Sequence, residues 1–218
     1  MDILPFVDLS RQNMNNDASP NAGGRLWNGK SRVLVIASST GGTNALEIIL
    51  RDLPDGFIPT VIVQHMSSGF TGMLADRLNR VSAMEVKEAS EGDILRPGLA
   101  LLAPEDSHMR LRAEGGNLVV ECFTGEKIHG LMPAADVLFE SVARLVKDKA
   151  IGVVLTGMGA DGAEGLLKMR LQGAKTIGQD KESSVVYGMP KKAFEIGAVE
   201  YVAPLNRIAE KIISLACV

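Results

Sequence analysis

The chain has 218 residues, 46% hydrophobic and 22% charged, and 23 Lys and Arg against 26 Asp and Glu leave a formal net charge of -3. That make-up belongs to an ordinary globular protein with enough material for one sizeable core. The slight acidity, with no Lys/Arg cluster, excludes nucleic acid and anionic membrane surfaces as main partners.

The only cysteines, Cys122 and the penultimate Cys217, make no disulfide framework and fit a reducing compartment. At the amino terminus Asp2 stands where a signal peptide carries base, and Pro5 breaks the apolar run early. No stretch approaches the ~20 apolar residues of a membrane span. A cytoplasmic protein with no membrane insertion is expected. From Asp8 to Lys30 the composition turns to Asn, Asp, Ser, Pro, Gly and Gln, which cannot bury enough apolar surface to order itself. Residues 1–30 therefore read as a flexible linker or tail, and residues 31–218 as the folded domain.

Arg32-Val-Leu-Val-Ile-Ala-Ser38 is a buried strand that gives way to Ser39-Thr-Gly-Gly-Thr43, and Leu46, Ile49 and Leu50 then recur at helical spacing. Ser39 sits where strand meets helix, a turn that lifts a hydroxyl clear of a sheet edge and puts helix N–H groups beside it. The alternative is that Ser38, Ser39 and Thr40 only cap the helix. Pro59 to Gln64 is a second apolar strand, stopped by His65, and a helix follows through Met73, Leu74 and Leu78. In the middle, Glu85–Ala89, Leu99–Ala103, His108–Arg112 and Asn117–Cys122 are short strand candidates read as an antiparallel insertion or flank, with a hairpin turn over 112–117. Pro133 to Lys147 is the clearest helix, with Pro133 in its first turn. Ile151 to Thr156 resumes the parallel pattern and Gly162 opens a helix to about Gln172. A strand at Lys175–Gln179, a short helix near Lys191–Phe194, a strand at Val199–Val202 and a helix from Asn206 to Ala216 complete the chain. The expected fold is α/β, a doubly wound and mostly parallel sheet with helices on both faces and a small antiparallel hairpin flank.

Functional groups gather at the carboxyl ends of parallel strands. Ser39, His65 and Asp161 each follow such a strand. Hydroxyl, imidazole and carboxylate in that relation make an acyl-transfer triad, whatever their order along the chain. His108 lies within a strand candidate and His129 in a loop, so neither competes with His65; Asp161 has the rival reading of a helix cap. Gly157-Met-Gly159-Ala-Asp-Gly162 is a literal G-x-G-x-x-G between strand and helix, with Asp180 ending the next strand, which taken alone says dinucleotide. Asp161, however, puts a carboxylate where a pyrophosphate would sit. The glycines have a second use, letting backbone N–H groups, notably that of Met158, reach a reacting oxygen. A Walker-type loop is excluded for want of Gly-Lys-Ser/Thr, and no closely spaced His/Cys/Asp set points to a metal. No cofactor is expected.

Ala37-Ser-Ser-Thr-Gly-Gly-Thr43, Gln64-His-Met66, Leu101 to Met109, Leu155 to Ala163 and Tyr187-Gly-Met-Pro190 stand in the order in which they occur in the chemotaxis protein-glutamate methylesterases. From about Ser31 onward the chain resembles the catalytic domain of that family. The resemblance implies Ser39 as nucleophile, His65 as base, Asp161 as its partner, and Thr40 and the Met158 backbone at the oxyanion. It also implies a substrate, glutamate methyl esters and some glutamine amides on the cytoplasmic helices of chemoreceptors. Two departures stand out. The family usually carries a receiver domain ahead of the catalytic one, where this chain has about 30 linker-like residues, so a separate receiver or signalling protein is the expected regulator. The family's His-Arg-Pro-Ser before the long helix is here Leu131-Met-Pro-Ala134. The reading is a serine esterase; the rival readings are a nucleotide-binding oxidoreductase using Gly157, Gly159 and Gly162, and a non-catalytic signalling adaptor of the same fold.

Overall fold

Alternation along one strand sets the layers. In β1 (Val33–Ser38) the fully buried Val33, Val35 and Ala37 belong to one apolar cluster, and Leu34 and Ile36 to another. Both faces of the strand are therefore covered, as its unbroken apolar run requires. The computed structural model describes residues 32–67 and 69–217; the linker expected over 1–30 lies outside the described residues.

β1 is the centre of a parallel sheet of seven strands in the order β3-β4-β2-β1-β7-β8-β9. Its neighbours are β2 (Thr60–Gln64) and β7 (Ala150–Val154), with Ser38 opposite Gln64 and Ala37 opposite Val154. Beyond β2 lie β4 (Leu99–Leu102) and β3 (Glu85–Glu88); beyond β7 lie β8 (Lys175–Gln179) and β9 (Tyr201–Ala203). Helices α1 (Gly42–Asp52), α2 (Thr71–Val81) and α6 (Leu205–Ala216) cover one face through Leu46, Ile49, Leu74, Leu78, Ile208 and Ile212. Helices α3 (Ala135–Leu145), α4 (Ala163–Leu171) and α5 (Met189–Glu195) cover the other, beside the antiparallel hairpin β5 (His108–Glu114) and β6 (Asn117–Phe123). Gly152 of β7 has no Cβ because Leu166 and Met169 of α4 occupy that space.

Because α1 leaves β1 on one face and α4 leaves β7 on the other, a crevice opens between the carboxyl ends of these two strands. The expected fold class is the observed one. Two local expectations are corrected. The strands at 85–88 and 99–102 join the main sheet as parallel strands, and only 108–123 forms the antiparallel flank. Pro133 precedes α3 instead of lying in its first turn. Among the described residues no helix is long and apolar enough to cross a membrane.

Candidate active site

The turn after β1 builds one wall of the crevice. Its sharpness rests on Gly41, held at φ 82 ahead of α1, a left-handed conformation that costs other L-residues about 1 kcal/mol or more. Ser39 N–H donates to Thr156 O across the sheet at 3.0 Å, and Ser39 O accepts from Gly42 N–H at 2.7 Å. No side chain caps α1. The capping alternative for Ser38, Ser39 and Thr40 is thereby set aside. Ser38 is buried and its hydroxyl donates to Gln64 Oε1, whereas Ser39 is half-buried and Thr40 exposed.

His65 leaves β2 directly alongside, its N–H donating to Ser38 O at 2.9 Å. Its side chain is only 7% exposed, with Nε2 2.8 Å from Oδ2 of Asp161, itself 1% exposed. The oxygen lies off the ring N–H direction, so the contact is close in distance without being an aligned hydrogen bond, and Nδ1 is buried with no partner. No hydrogen bond thus joins the Ser39 hydroxyl and the His65 ring in this structure, and such bonds are often long or unmade before substrate arrives.

Asp161 does not cap its own helix; Gly162 stands ahead of α4 without a side-chain cap. The carboxylate instead accepts from the first N–H groups of α3, Ala135 N–H at 2.6 Å and Asp136 N–H at 3.0 Å. These are donors that a helix start leaves unpaired, at the positive end of its dipole. Burial pushes the Asp161 pKa up, but the His65 imidazole close against it and the hydrogen bonds from the Asp136 and Ala135 backbone outweigh that, and the net shift is downward. Asp161 is therefore an ionised carboxylate facing the imidazole. Next to it, Asp136 is raised by burial, partly offset by the Gly165 N–H bond at 2.7 Å, and raised again by the Asp161 charge.

The turn after β7 closes the crevice. A Cβ on Gly157 would meet the Ser39 Cβ at 2.7 Å, so the absence of a side chain is what lets the two turns touch. Gly157 also donates to Val186 O and accepts from Gly188 and Met189 N–H, tying this turn to the strap before α5. The Met158 side chain is 75% exposed, and among the described residues neither its N–H nor that of Thr40 has a hydrogen-bond partner. A cavity of about 310 Å³ beside His65 is lined by Met66, Ser67, Leu131, Met132 and Pro133.

The dinucleotide reading finds no support. The start of α4 is occupied by the Asp136 carboxylate on Gly165 N–H, and Asp180 is spent locally on the Ser183 N–H and hydroxyl. His108 is buried and satisfied, Nδ1 accepting from Ala134 N–H while Nε2 lies 2.9 Å from Glu126 O. The fold does gather one potential metal group that spacing along the chain does not show: His129, Asp136 and Asp161 bring ligand atoms within 4.8 Å of one another. Asp161 there already holds two backbone donors and faces His65, which fits a structural carboxylate better than a metal ligand. Sequence reasoning missed the roles of Gln64, whose amide bonds Ser39 O and His65 O, and of Thr156, whose hydroxyl donates to Thr40 O. Neither has a sequence signal beyond its place at a strand end.

The CheB methylesterase family model matches residues 34–212. A protein-glutamate methylesterase/protein-glutamine glutaminase of Sulfurimonas denitrificans is 54% identical over 85% of this chain and 53% of its own length. A second of that name from Syntrophomonas wolfei is 52% identical over 84% of this chain and 54% of its own. The chain thus spans about half the length of the curated relatives it matches. The crystal structure of the Thermotoga maritima CheB methylesterase catalytic domain superposes with a TM-score of 0.83 at 43% identity, over 85% of this chain and 98% of that one. With the crevice, its buried His–Asp pair and the family match covering nearly all of the described fold, the chain belongs to the CheB methylesterase family.

Proposed function

We propose that this chain is a serine esterase that demethylates glutamate methyl esters, and deamidates glutamines, on the cytoplasmic helices of chemoreceptors. The observation that carries the chemistry is the buried His65–Asp161 pair at 2.8 Å, one strand away from the Ser39 turn. The relatives' own names, methylesterase and glutaminase, support the substrate class.

In this reading Ser39 Oγ attacks the ester carbonyl carbon while His65 takes its proton. Nδ1 is the ring nitrogen left for that proton, because Nε2 faces Asp161. The Thr40 and Met158 N–H groups, unpartnered among the described residues, stabilise the oxyanion. His65 then protonates the departing methoxide to methanol, and the glutamyl group is left as an ester on Ser39. Water, deprotonated by His65, attacks that ester and releases the carboxylate and the serine. The apolar wall of Met66, Leu131, Met132 and Pro133 beside His65 suits a methyl group better than a charged one. The catalytic unit runs from about residue 31 to the carboxyl end, supported by the family match over 34–212. A cytoplasmic setting and control by a separate receiver or signalling protein belong to the same proposal.

The test is a fluorophosphonate label with the modified residue mapped by mass spectrometry, together with methanol release from a methylated chemoreceptor cytoplasmic fragment. Labelling on Ser39 and methanol release that vanishes in Ser39→Ala are expected. An unlabelled protein that releases no methanol returns the chain to the adaptor reading.

A further inference from the structure

We infer that Gln64 is a positioning residue that fixes the nucleophile-bearing and base-bearing turns to one another, an inference that rests on the serine-esterase reading above. Since Ser39 and His65 do not hold each other through their side chains in this structure, their relation must be set by something else. The backbone link from His65 N–H to Ser38 O is one such tie. The Gln64 amide is another, and among the described residues it is the side chain that bonds both residues at once.

Gln64 ends β2 and its side chain turns into the protein, leaving the residue 4% exposed. Its Nε2 donates to Ser39 O at 3.0 Å and to His65 O at 2.7 Å. Its Oε1 accepts from the Ser38 hydroxyl at 2.7 Å. A planar amide has two N–H bonds at a fixed angle on one atom. Two carbonyls bound to that atom cannot shift independently, and each carbonyl moves with the residue that carries it. The space around the amide is reserved as well: a Cβ on Gly42 would run into Gln64 Oε1 and come within 2.6 Å of Ser38 Cβ. Filling the same space with an apolar side chain would satisfy packing and leave both carbonyls without this donor. Such a change moves the reacting groups relative to one another without touching substrate, and a displacement near 1 Å is enough to cost about 10²-fold in rate.

The experiment compares parent, Gln64→Met, Gln64→Glu and Ser141→Ala. Met matches glutamine in length and volume without hydrogen bonds; Glu keeps the shape and, when ionised, has no donor. Ser141 is the control, a 3% exposed side chain that also bonds backbone, accepting from Leu111 N–H and donating to Leu138 O, but on α3 against the hairpin. Fluorophosphonate labelling rate, kcat and KM on a small methyl ester, and Tm are measured for each. Both Gln64 variants are expected to lose 10- to 100-fold in labelling rate and kcat with KM within threefold of the parent. Ser141→Ala is expected to lower Tm at parental rates. A folded Gln64→Met or Gln64→Glu protein labelled at the parental rate overturns the inference. So does failure of both to fold, which would make the amide a requirement of the fold. A parent that is not labelled sinks the esterase reading instead, and the two failures are thereby told apart.

Discussion

Asp161 Oδ2 stands 2.8 Å from His65 Nε2, and the same carboxylate is held from behind by the first two N–H groups of α3. The acid that faces the imidazole is therefore aimed by the start of α3, and it is kept ionised by the His65 imidazole together with those two N–H groups. His65 receives an oriented negative charge before any substrate is bound.

Asp161→Asn tests that arrangement. Asn has nearly the same shape but no charge and presents an N–H group to either the helix donors or the imidazole. Turnover should fall by about 10³- to 10⁴-fold, the scale of losing the acid of a triad. Stability should respond with a definite sign. The Asp161 pKa is lowered on folding, so its stabilisation is present above the ordinary carboxylate pKa of about 3.9 and is lost as pH falls through the folded value. The Tm gap between parent and variant should be widest above pH 5 and close in acid. A gap that does not change with pH would show that shape, not charge, holds the site together.

Ser38 and Ser39 are neighbours in different surroundings, one buried and one half-buried. The Ser38 hydroxyl is buried on Gln64 Oε1, so Ser38→Ala should cost about 1 kcal/mol of stability and keep most of the esterase activity. Ser39→Ala should lose nearly all activity at a Tm within a few degrees of the parent. Equal activity losses in both variants would mean that the nucleophile has been misassigned.

Gly157 and Gly159 separate close approach from backbone strain. Gly157→Ala would drive a methyl into Met189 Sδ and Ser39 Cβ, pushing apart the two turns that frame the crevice. A loss of 10- to 100-fold in kcat is expected. At Gly159 there is open space, and only its φ of 92 resists a side chain, so Gly159→Ala should cost about 1–2 kcal/mol with a smaller effect on rate. The comparison of kcat with Tm across the two variants is the check, and a reversed order would refute the close contact of Gly157 with Ser39 as what sets the rate.

Asp136 makes the opposite pH prediction from Asp161. Burial, with the neighbouring Asp161 charge, raises its pKa despite the Gly165 N–H bond. A raised acid gives stability that is complete below about pH 3.9 and is lost as pH rises through the folded value. Asp136→Asn keeps an acceptor for Gly165 and never ionises. Its Tm relative to the parent should be more favourable at pH 7 than at pH 4, as scanning calorimetry at the two pH values would show; the reverse trend would mean that the negative charge is welcome there.

Local order was legible because it is carried by residues close together in the chain. The unbroken apolar runs at 33–38 and 60–64 demand a sheet covered on both faces. Small polar residues and glycines behind them demand sharp turns into helices, and Gly115-Gly116 demands a hairpin. With parallel strands, those runs, the similar run at 150–154 and the turns behind them place Ser39, His65 and Asp161 at one end of one sheet. The strands at 85–88 and 99–102 were not legible, because four-residue segments carry too little pattern to reveal their partners, and both pair over long separations in the chain.

What the tertiary structure alone decided is where donors and charges meet. Asp161 is served by Ala135, 26 residues earlier, and no periodicity within either segment says that α3 will start against that carboxylate. Likewise Gln64 reads as the last residue of a strand until β1 lies beside it in register, with Ser38 opposite. Only then do the carbonyls of Ser39 and His65 both fall within reach of one amide. Strand and helix formation depends on neighbours a turn away, whereas a buried polar group finds its partner only after the core has closed around it.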